Sequence, residues 1–325
     1  MLYLRGEAEM NVVFMGTPEF SVPVLQAVHA AGHDARLVVT RPDARRGRGR
    51  RPALTPVKAA ALRLGLEVFQ PRSVNRPEAV ERLRSSGAQI AIVVAYGEML
   101  RAATLRCLPG GMFNLHASLL PKYRGAAPIN WALMRGEAET GVTLQRMAPE
   151  LDAGPVVAQK AVCIGPDETA GGLHDRLSIL GAELLVEVLR RLDRGEALQE
   201  RPQDAAQATL APKLSKEDGY VDWRRPAAEV RNVVRGLTPW PGAATTVVAG
   251  GRAERVILLA VDAEPRAETR AEPGAVLAAG DEQGIVVQAS PGSVIIRVLK
   301  PSSGRAMTAA DFIHGHHVRP GDRFE

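Results

Sequence analysis

The feature that most constrains the fold is the alternation of short apolar stretches with helical patterns over the first two thirds of the chain. Asn11–Gly16 and Ile90–Ala95 have the apolar composition of buried strands, and a helical pattern from about Pro18 to Ala31 follows the first of them. Further strands are predicted at 35–40, 67–70, 112–115 and 142–147, and helices at 56–64, 76–85, 130–135 and 169–194. This alternation indicates an α/β protein with a doubly wound, mostly parallel sheet, in which ligands bind at the carboxyl ends of the strands.

The last third of the chain has a different pattern. Residues 197–212 are polar and lack periodicity, which predicts a linker. After a predicted helix at 227–235, short strands alternate with glycine turns, and this indicates a small β-barrel or sandwich. We therefore expect a first domain at 10–196, which holds the active site, and a second at 213–325.

The net charge of +5 is concentrated in one segment. Residues 41–51 hold six arginines and one acid, and the rest of the chain carries 35 basic and 35 acidic residues. A run of like charges is ordinarily a solvated loop, but arginine is also suited to phosphate because its planar group donates two parallel hydrogen bonds. Any interpretation in terms of nucleic acid or another polyanion therefore concerns this segment and not the whole surface.

Composition and cysteine usage exclude several classes of protein. With 46% apolar and 24% charged residues the composition is globular, and no apolar run approaches the roughly 18 residues of a membrane span. Met1–Glu9 lacks the features of a secretory signal. Cys107 and Cys163 are too few and too far apart for a disulfide framework or a cysteine-based zinc site. We expect a reduced, cytoplasmic protein with no membrane association.

The turn after the first strand, Gly16–Phe20, argues against a dinucleotide cofactor. A dinucleotide fold needs the pattern G-x-G-x-x-G here, so that backbone can approach a pyrophosphate. Only the first glycine is present, and Glu19 would repel phosphate. NAD and FAD are therefore disfavoured.

The most informative stretch is FNLHASLLPKYRGAAP, at 113–128, directly after the start of a predicted strand. Asn114 and His116 are two residues apart, so on a strand they project to the same side. An amide and an imidazole that face one point can stabilise an oxyanion and transfer a proton. Either residue alone more often satisfies neighbouring backbone, but the pair favours a catalytic interpretation.

Asp152 is the acidic candidate for the same site. It follows the strand predicted at 142–147, in a loop that contains Gly154 and Pro155. If that strand neighbours the one that carries His116, the carboxylate would orient the imidazole and favour its charged form. Taken alone, an aspartate in such a loop is more often a turn residue.

Three histidines near the C-terminus, His314, His316 and His317, raise the question of a metal site. No carboxylate or cysteine has matching spacing, so a surface helix end is favoured and no metal is expected. That helix is predicted to begin after Thr308 and to end at Gly315.

Together these motifs resemble the formyltransferases that use 10-formyltetrahydrofolate. The resemblance lies in Asn-x-His-x-Ser-Leu-Leu-Pro-x-x-Arg-Gly-x-x-Pro, followed by Gly-Val-Thr and Leu-Asp-x-Gly. It implies the family's Rossmann-like fold and 10-formyltetrahydrofolate as the formyl donor. By this resemblance the catalytic residues are Asn114, His116 and Asp152, and the folate-binding residues are Ser118, Leu119, Leu120 and Pro121.

Three further features resemble the members of the family that formylate methionyl initiator tRNA. They are the opening Gly-Thr-Pro-Glu-Phe, the arginine-rich loop that continues into Thr-Pro-Val-Lys, and a C-terminal part with Lys-Leu-Ser-Lys and Pro-Trp-Pro-Gly-Ala that resembles an OB-like β-barrel domain. The loop resembles a tRNA-contacting insertion, with its critical arginine at Arg48. The resemblance implies a monomer whose tRNA contacts come from Arg41, Arg45, Arg46, Arg48, Arg50 and Arg51.

The resemblance also implies a mechanism. The neutral amine attacks the formyl carbon, Asn114 and protonated His116 stabilise the oxyanion, and Asp152 holds His116 and assists proton movement. The central motif does not fix the acceptor, so an amino sugar, or water as in a formyl-folate hydrolase, stays open. An RNA-binding module that has lost activity is a third alternative, although the intact Asn, His and Asp argue against it.

Overall fold

The computed structural model describes residues 10–46, 51–264, 271–302 and 304–325. They form two compact units. The first comprises the residues up to 125 together with 140–162 and 174–211, and the second comprises 126–139, 163–173 and 212–325. No helix within the described ranges is long and apolar enough to cross a membrane.

The first unit is built on a seven-stranded sheet. The strands up to residue 211 are β1 (Asn11–Gly16), β2 (Asp34–Val39), β3 (Ala44–Arg46), β4 (Arg51–Ala53), β5 (Val68–Phe69), β6 (Ile90–Val94), β7 (Met112–His116), β8 (Arg124–Gly125), β9 (Glu139–Arg146), β10 (Val156–Cys163) and β11 (Leu210–Ala211). The α-helices over the same stretch are α1 (Ser21–Ala30), α2 (Pro56–Arg63), α3 (Pro77–Arg84), α4 (Ala102–Leu105), α5 (Pro128–Met134) and α6 (Ala170–Asp193), of which α5 belongs to the second unit.

The order of strands in this sheet is β10-β9-β7-β6-β1-β2-β5. The pairs from β7 through β5 are parallel, and β9 pairs with β7 in the antiparallel direction. The doubly wound, mostly parallel sheet predicted from the sequence is therefore confirmed. Its central strands are buried, with every residue of β6 inaccessible or nearly so, as expected where both faces of a parallel sheet are covered.

Several elements of this unit, including α4, β8 and β11, were not predicted from the sequence, and two of them show why. The first is β10, whose burial alternates only weakly and whose second half is largely exposed, so its apolar pattern is faint. The second is the antiparallel pair β3–β4, in which Arg46 lies opposite Arg51. Arginine has no strong strand preference, so this pairing depends on the backbone ladder and on how the loop ends are held.

The second unit contains a strongly curved sheet. Its elements are α7 (Ala227–Leu237), β12 (Ala243–Ala249), β13 (Arg252–Glu264), β14 (Val276–Gly280), β15 (Gly284–Gln288), β16 (Ser293–Pro301), β17 (Met307–Thr308), α8 (Ala309–His316) and β18 (Arg323–Phe324). The order is β14-β15-β16-β13-β12-β18, and β17 also pairs with β16. A bridge between Ala275 and Arg323 brings the first strand of this order back to the last. The sheet is thus nearly closed, which confirms the predicted barrel-like domain.

The end of the last helix differs from the prediction. Helix α8 begins after Thr308, whose side chain accepts a hydrogen bond from the backbone of Asp311, as predicted. It continues through Gly315 to His316, and His317 adopts the left-handed conformation at its C-terminus, with φ 54°. The ring of His316 stacks on the buried Phe312, which holds the last turn in place. The division into 10–196, 197–212 and 213–325 stays a prediction about independently folding domains.

Candidate active site

The candidate site lies at the carboxyl end of β7, where that strand runs beside β9. In the register of this pair, Asn114 lies opposite Gln145 and His116 lies opposite Thr143. The sequence predicts that His116 meets Asp152 if these two strands are neighbours. Their adjacency is confirmed. Because β9 is antiparallel, its last residue, Arg146, lies opposite Phe113 near the start of β7, and the loop that follows returns to place Asp152 beside Asn114 and His116.

Asp152 is the centre of a small polar cluster. Its Oδ1 accepts hydrogen bonds from Asn114 Nδ2 at 3.2 Å and from Gln145 Nε2 at 3.1 Å. Its Oδ2 accepts one from the backbone N–H of Gly125 at 2.9 Å and lies 3.7 Å from His116 Nδ1. The last distance is too long for a hydrogen bond and is that of an ion pair when the imidazole is protonated. The three residues predicted as catalytic are therefore brought together around one carboxylate.

The hydrogen bonds of His116 fix which of its nitrogens can change protonation. Its Nε2 lies 2.9 Å from the carbonyl oxygen of Tyr123. A carbonyl oxygen can only accept, so Nε2 carries a hydrogen and donates it. Nδ1 is then the nitrogen that gains or loses a proton, and it faces Asp152. The side chain is only 7% exposed.

The amide of Asn114 is only partly used. Its Nδ2 carries two hydrogens, and within the described ranges one of them is donated to Asp152. The other is left for a further acceptor. Asn114 is half-buried, whereas most of β7 is fully buried, so the residue is accessible at the point where the strand ends.

The loop that carries Asp152 is held by steric constraints. Asp152 lies in the left-handed region with φ 48°, which aspartate tolerates better than most residues. Two residues later, a Cβ added to Gly154 would lie 1.8 Å from the backbone oxygen of Arg146. Only glycine therefore permits this close crossing of the loop over the end of β9. The Asp-x-Gly spacing noted in the sequence has a structural cause here.

The four residues predicted to bind folate form a tightly held turn. Ser118 Oγ donates to the carbonyl of Lys122 at 2.6 Å, and the Leu120 N–H donates to Thr143 Oγ1 at 3.1 Å. Ser118 and Leu120 are buried, whereas Leu119 and Pro121 are partly exposed. The turn thus has two members that face inward and two that offer surface.

The sequence assigns no role to several residues of the site, although Tyr123, Gly125 and Thr143 lie inside the quoted stretches. They are Tyr123, Gly125, Thr143, Gln145, Gln159 and Gln203. Thr143 and Gln145 alternate along β9 and face β7, so an exact register would have identified them. Gln203 lies in a polar stretch without periodicity, and nothing in the sequence distinguishes it.

The base of the arginine-rich loop is anchored by ion pairs. Arg41 Nη1 lies 2.5 Å from Glu98 Oε2, and Lys58 Nζ lies 2.5 Å from Asp43 Oδ2. The hydrogen bond from Lys58 holds the pKa of Asp43 below its ordinary value. Gln70 Nε2 also donates to Asp43 Oδ1, at 2.9 Å. The guanidinium of Arg41 is therefore already paired with a carboxylate inside the protein.

The other arginines predicted to bind tRNA are only partly described. Arg45 and Arg46 lie on β3 and Arg51 on β4, so their backbone belongs to the paired ladder. Arg48 and Arg50 lie outside the described residues. The prediction about these side chains stays a prediction.

The C-terminal histidines do not form a metal cluster. His314 Nε2 pairs with Asp281 Oδ1 at 2.9 Å, and His316 Nδ1 pairs with Glu254 Oε2 at 3.0 Å. Throughout the part of the chain that the structure describes, no group of three or more His, Cys, Asp or Glu side chains is arranged to hold a metal ion.

A doubly wound sheet with an amide, an imidazole and a carboxylate at one strand end, followed by a nearly closed barrel, defines a two-unit group-transfer enzyme. The chain belongs to the formyl transferase family: the family model "Formyl transferase" matches residues 10–189, and "Formyl transferase, C-terminal domain" matches residues 213–317. The methionyl-tRNA formyltransferase of Heliobacterium modesticaldum is 45% identical over 322 residues, which cover 97% of this chain and 100% of that protein.

Two solved structures have a similar fold. HypX from Aquifex aeolicus, in complex with tetrahydrofolic acid, has a TM-score of 0.61 at 19% identity, covering 94% of this chain and 47% of that one. The N-formyltransferase from Helicobacter canadensis, in complex with folinic acid and dTDP-3-aminofucose, has a TM-score of 0.62 at 14% identity, covering 88% and 98%. At these identities the likeness concerns the fold alone.

Proposed function

We propose that this protein transfers the formyl group of 10-formyltetrahydrofolate to the amino group of methionyl initiator tRNA. The observation that carries the chemistry is the cluster around Asp152, which joins Asn114 and His116 at the edge of the sheet. The acceptor is supported by the relative from Heliobacterium modesticaldum, which is similar over nearly the whole length of both chains and is a methionyl-tRNA formyltransferase. The family to which the chain belongs uses 10-formyltetrahydrofolate as the formyl donor.

The donor set fits the chemistry of formyl transfer. 10-Formyltetrahydrofolate supplies the formyl group, whose oxygen becomes negative as an amine adds to its carbon. The unused amide hydrogen of Asn114 and a proton on His116 Nδ1 stabilise that charge, as hydrogen-bond donors do in oxyanion holes. Asp152 compensates the charge of the imidazolium and accepts the proton that leaves the amine. As the oxyanion collapses, the bond between the formyl carbon and N10 of the folate breaks, N10 takes up that proton, and tetrahydrofolate leaves. Asp152 is fixed for this task by the N–H of Gly125 and the amide of Gln145.

The residues of the 118–121 turn have two different roles in holding folate. Leu119 and Pro121 offer apolar surface to the ligand, whereas the buried Ser118 and Leu120 keep the turn in shape. Gln159 supports the same turn, since its Nε2 donates to the Leu120 carbonyl at 2.8 Å.

The acceptor is tested by supplying each candidate separately. The protein and 10-formyltetrahydrofolate are incubated with methionyl initiator tRNA, with an amino-sugar nucleotide, or with buffer alone. We expect N-formylmethionyl-tRNA in the first sample and no formyl transfer or folate deformylation in the other two. Formylation of the sugar, or loss of the formyl group to water at a comparable rate, would contradict the proposal.

We also propose that the arginine-rich loop grips the tRNA near the site of transfer, with Arg48 as its principal residue. Arg48→Ala should slow formylation of tRNA and leave folate binding unchanged. Each phosphate contact that is lost should lower the slope of log affinity against log salt by about 0.7–0.9. The measurement is tRNA binding over a series of salt concentrations.

Arg41→Ala is the matched control for this loop. Since Glu98 already neutralises Arg41, we expect the smallest change in salt slope of the six arginines, with some loss of thermal stability. An equal fall in slope for Arg41→Ala and Arg48→Ala would contradict this ranking. A fall in folate binding for Arg48→Ala would point to a damaged fold instead.

The remaining assignments follow from the proposed reaction. As an enzyme that acts on initiator tRNA, the protein works in the cytoplasm, and we propose that it does so as a monomer. Its partners are then the charged tRNA and the folate cosubstrate.

A further inference from the structure

Gln203 connects the loop that carries Asp152 to strand β8, which lies on the other side of the Asp152 carboxylate. Its Nε2 donates to the carbonyl of Asp152 at 2.8 Å and to that of Gly154 at 2.7 Å. Its Oε1 accepts two hydrogen bonds from Arg124, from Nη2 at 2.7 Å and from Nε at 3.1 Å. One side chain therefore uses both ends of its amide on groups that flank the site.

The orientation of this amide is fixed by its partners. A guanidinium can only donate and a carbonyl oxygen can only accept, so the oxygen of Gln203 must face Arg124 and its nitrogen must face the loop. The nitrogen has two hydrogens, and the two carbonyls at 2.7 and 2.8 Å take both of them. A third neighbour, Gln145 Oε1, lies at 3.3 Å, and the Nε2 of the same residue donates to Asp152.

The contacts of Gln203 act on the part of the loop that most needs support. Asp152 is held in the left-handed region, a conformation that persists only where its surroundings impose it. Gln203 binds the carbonyl of that residue. It also binds Arg124, whose neighbour Gly125 donates its N–H to Asp152 Oδ2. Gln203 thus contacts the backbone of Asp152 directly, and it contacts the carboxylate of Asp152 through Arg124 and the neighbouring Gly125.

The segment that carries Gln203 is itself anchored on both sides. Arg201 exchanges two backbone hydrogen bonds with Val156, both of 2.8 Å, beside the end of the Asp152 loop. Further along, Thr209 accepts hydrogen bonds from the N–H groups of Tyr123 and Arg124. Gln203 therefore projects from a strap that is held at both of these attachments.

We propose that Gln203 is a positioning residue for formyl transfer, which holds the Asp152 carboxylate at the distance from Asn114 and His116 that the reaction requires. This inference rests on the proposed function, in which Asp152 takes part in proton movement. It assigns a specific task to a residue in the stretch that the sequence predicts as a linker.

Two substitutions at this position distinguish the effect of its hydrogen bonds from the effect of the space that its side chain fills. Gln203→Ala removes all of the contacts. Gln203→Glu keeps the size and an oxygen for Arg124, but sets its second oxygen against two carbonyl oxygens. We expect each to lower the single-turnover rate of formyl transfer about 10–100-fold, the order of loss that follows when a catalytic group is misplaced by about 1 Å. The KM values for folate and tRNA should change less than about threefold. Gln207→Ala, which removes only a surface contact with Asp204, should leave the rate unchanged.

A double-mutant cycle with Asp152→Ala tests whether Gln203 acts through that residue. We expect the Asp152→Ala, Gln203→Ala chain to react within about twofold of Asp152→Ala alone. Multiplied losses, a wild-type rate in both Gln203 variants, or a loss confined to KM would each overturn the inference. If instead Asp152→Ala alone reacts at the wild-type rate, the catalytic assignment itself fails, so the two failures are distinguishable.

Discussion

Replacing His116 by alanine is expected to lower the single-turnover rate of formyl transfer by about 10²–10³, the typical effect of losing one donor to a developing oxyanion. The expectation follows from the Nδ1 proton, which is the only mobile proton on a ring whose Nε2 is committed to Tyr123. The measurement is rapid-quench formation of N-formylmethionyl-tRNA with enzyme in excess. Asp152→Ala should fall in the same range, since the imidazolium would then lack its counter-charge.

The combination of the two substitutions is informative. If His116 and Asp152 act as one unit, the double variant should be about as slow as the slower single variant, because residues that act together are strongly non-additive. His314→Ala is a suitable control, since it also removes a histidine paired with a carboxylate, at 2.9 Å, but on the surface of the second unit. Near wild-type rates for His116→Ala and Asp152→Ala would contradict the assignment of both residues.

The second large effect is expected from Gly154→Ala. The added Cβ would lie 1.8 Å from the backbone oxygen of Arg146 and 3.3 Å from the backbone nitrogen of Ala148. Neither atom can move without displacing β9 or its loop. We expect the free energy of unfolding to fall by about 3 kcal/mol, near the upper end of ordinary overpacking effects. Because Gln203 binds the carbonyl of Gly154, the rate of formyl transfer should fall as well.

Gly315→Ala provides the control for this second substitution. Gly315 lies in helix α8, has no atom within 4 Å of the added Cβ, and does not have a left-handed φ. Alanine there should stabilise the protein by about 0.5–1 kcal/mol, since it favours the helix. Chemical denaturation measures both variants. An unfolding free energy unchanged in Gly154→Ala would show that the loop crosses β9 less closely than the structure indicates.

The helices and strands could be predicted where their patterns are strong. The buried strand β6 and the long helix α6 follow from continuous apolar composition and from helical periodicity over 24 residues. β10 and the β3–β4 pair could not be predicted in this way, because one is half-exposed and the other consists of arginines and small residues. Their pairing is decided by neighbours that are distant in sequence.

The candidate site shows the same division. Asn114 and His116 could be predicted as catalytic candidates from their spacing on a strand, and Asp152 from the resemblance of its loop. The sequence alone could not show that Nε2 of His116 is hydrogen-bonded to the carbonyl of Tyr123, nor that Arg41 is paired with Glu98. These contacts depend on where loops come to rest, and no local pattern records that.

By itself, the sequence determined the class of sheet, the curved second unit and the segment that carries the excess charge, and it predicted which residues react. Those features depend on periodicity, composition and short motifs, which are local. Only the tertiary structure decided the register of β7 against β9, the left-handed turn at Asp152 and the contacts of Gln203, 51 residues further along the chain. The physical reason is that hydrogen bonds between distant segments form only when packing brings those segments together, so no local sequence pattern specifies them.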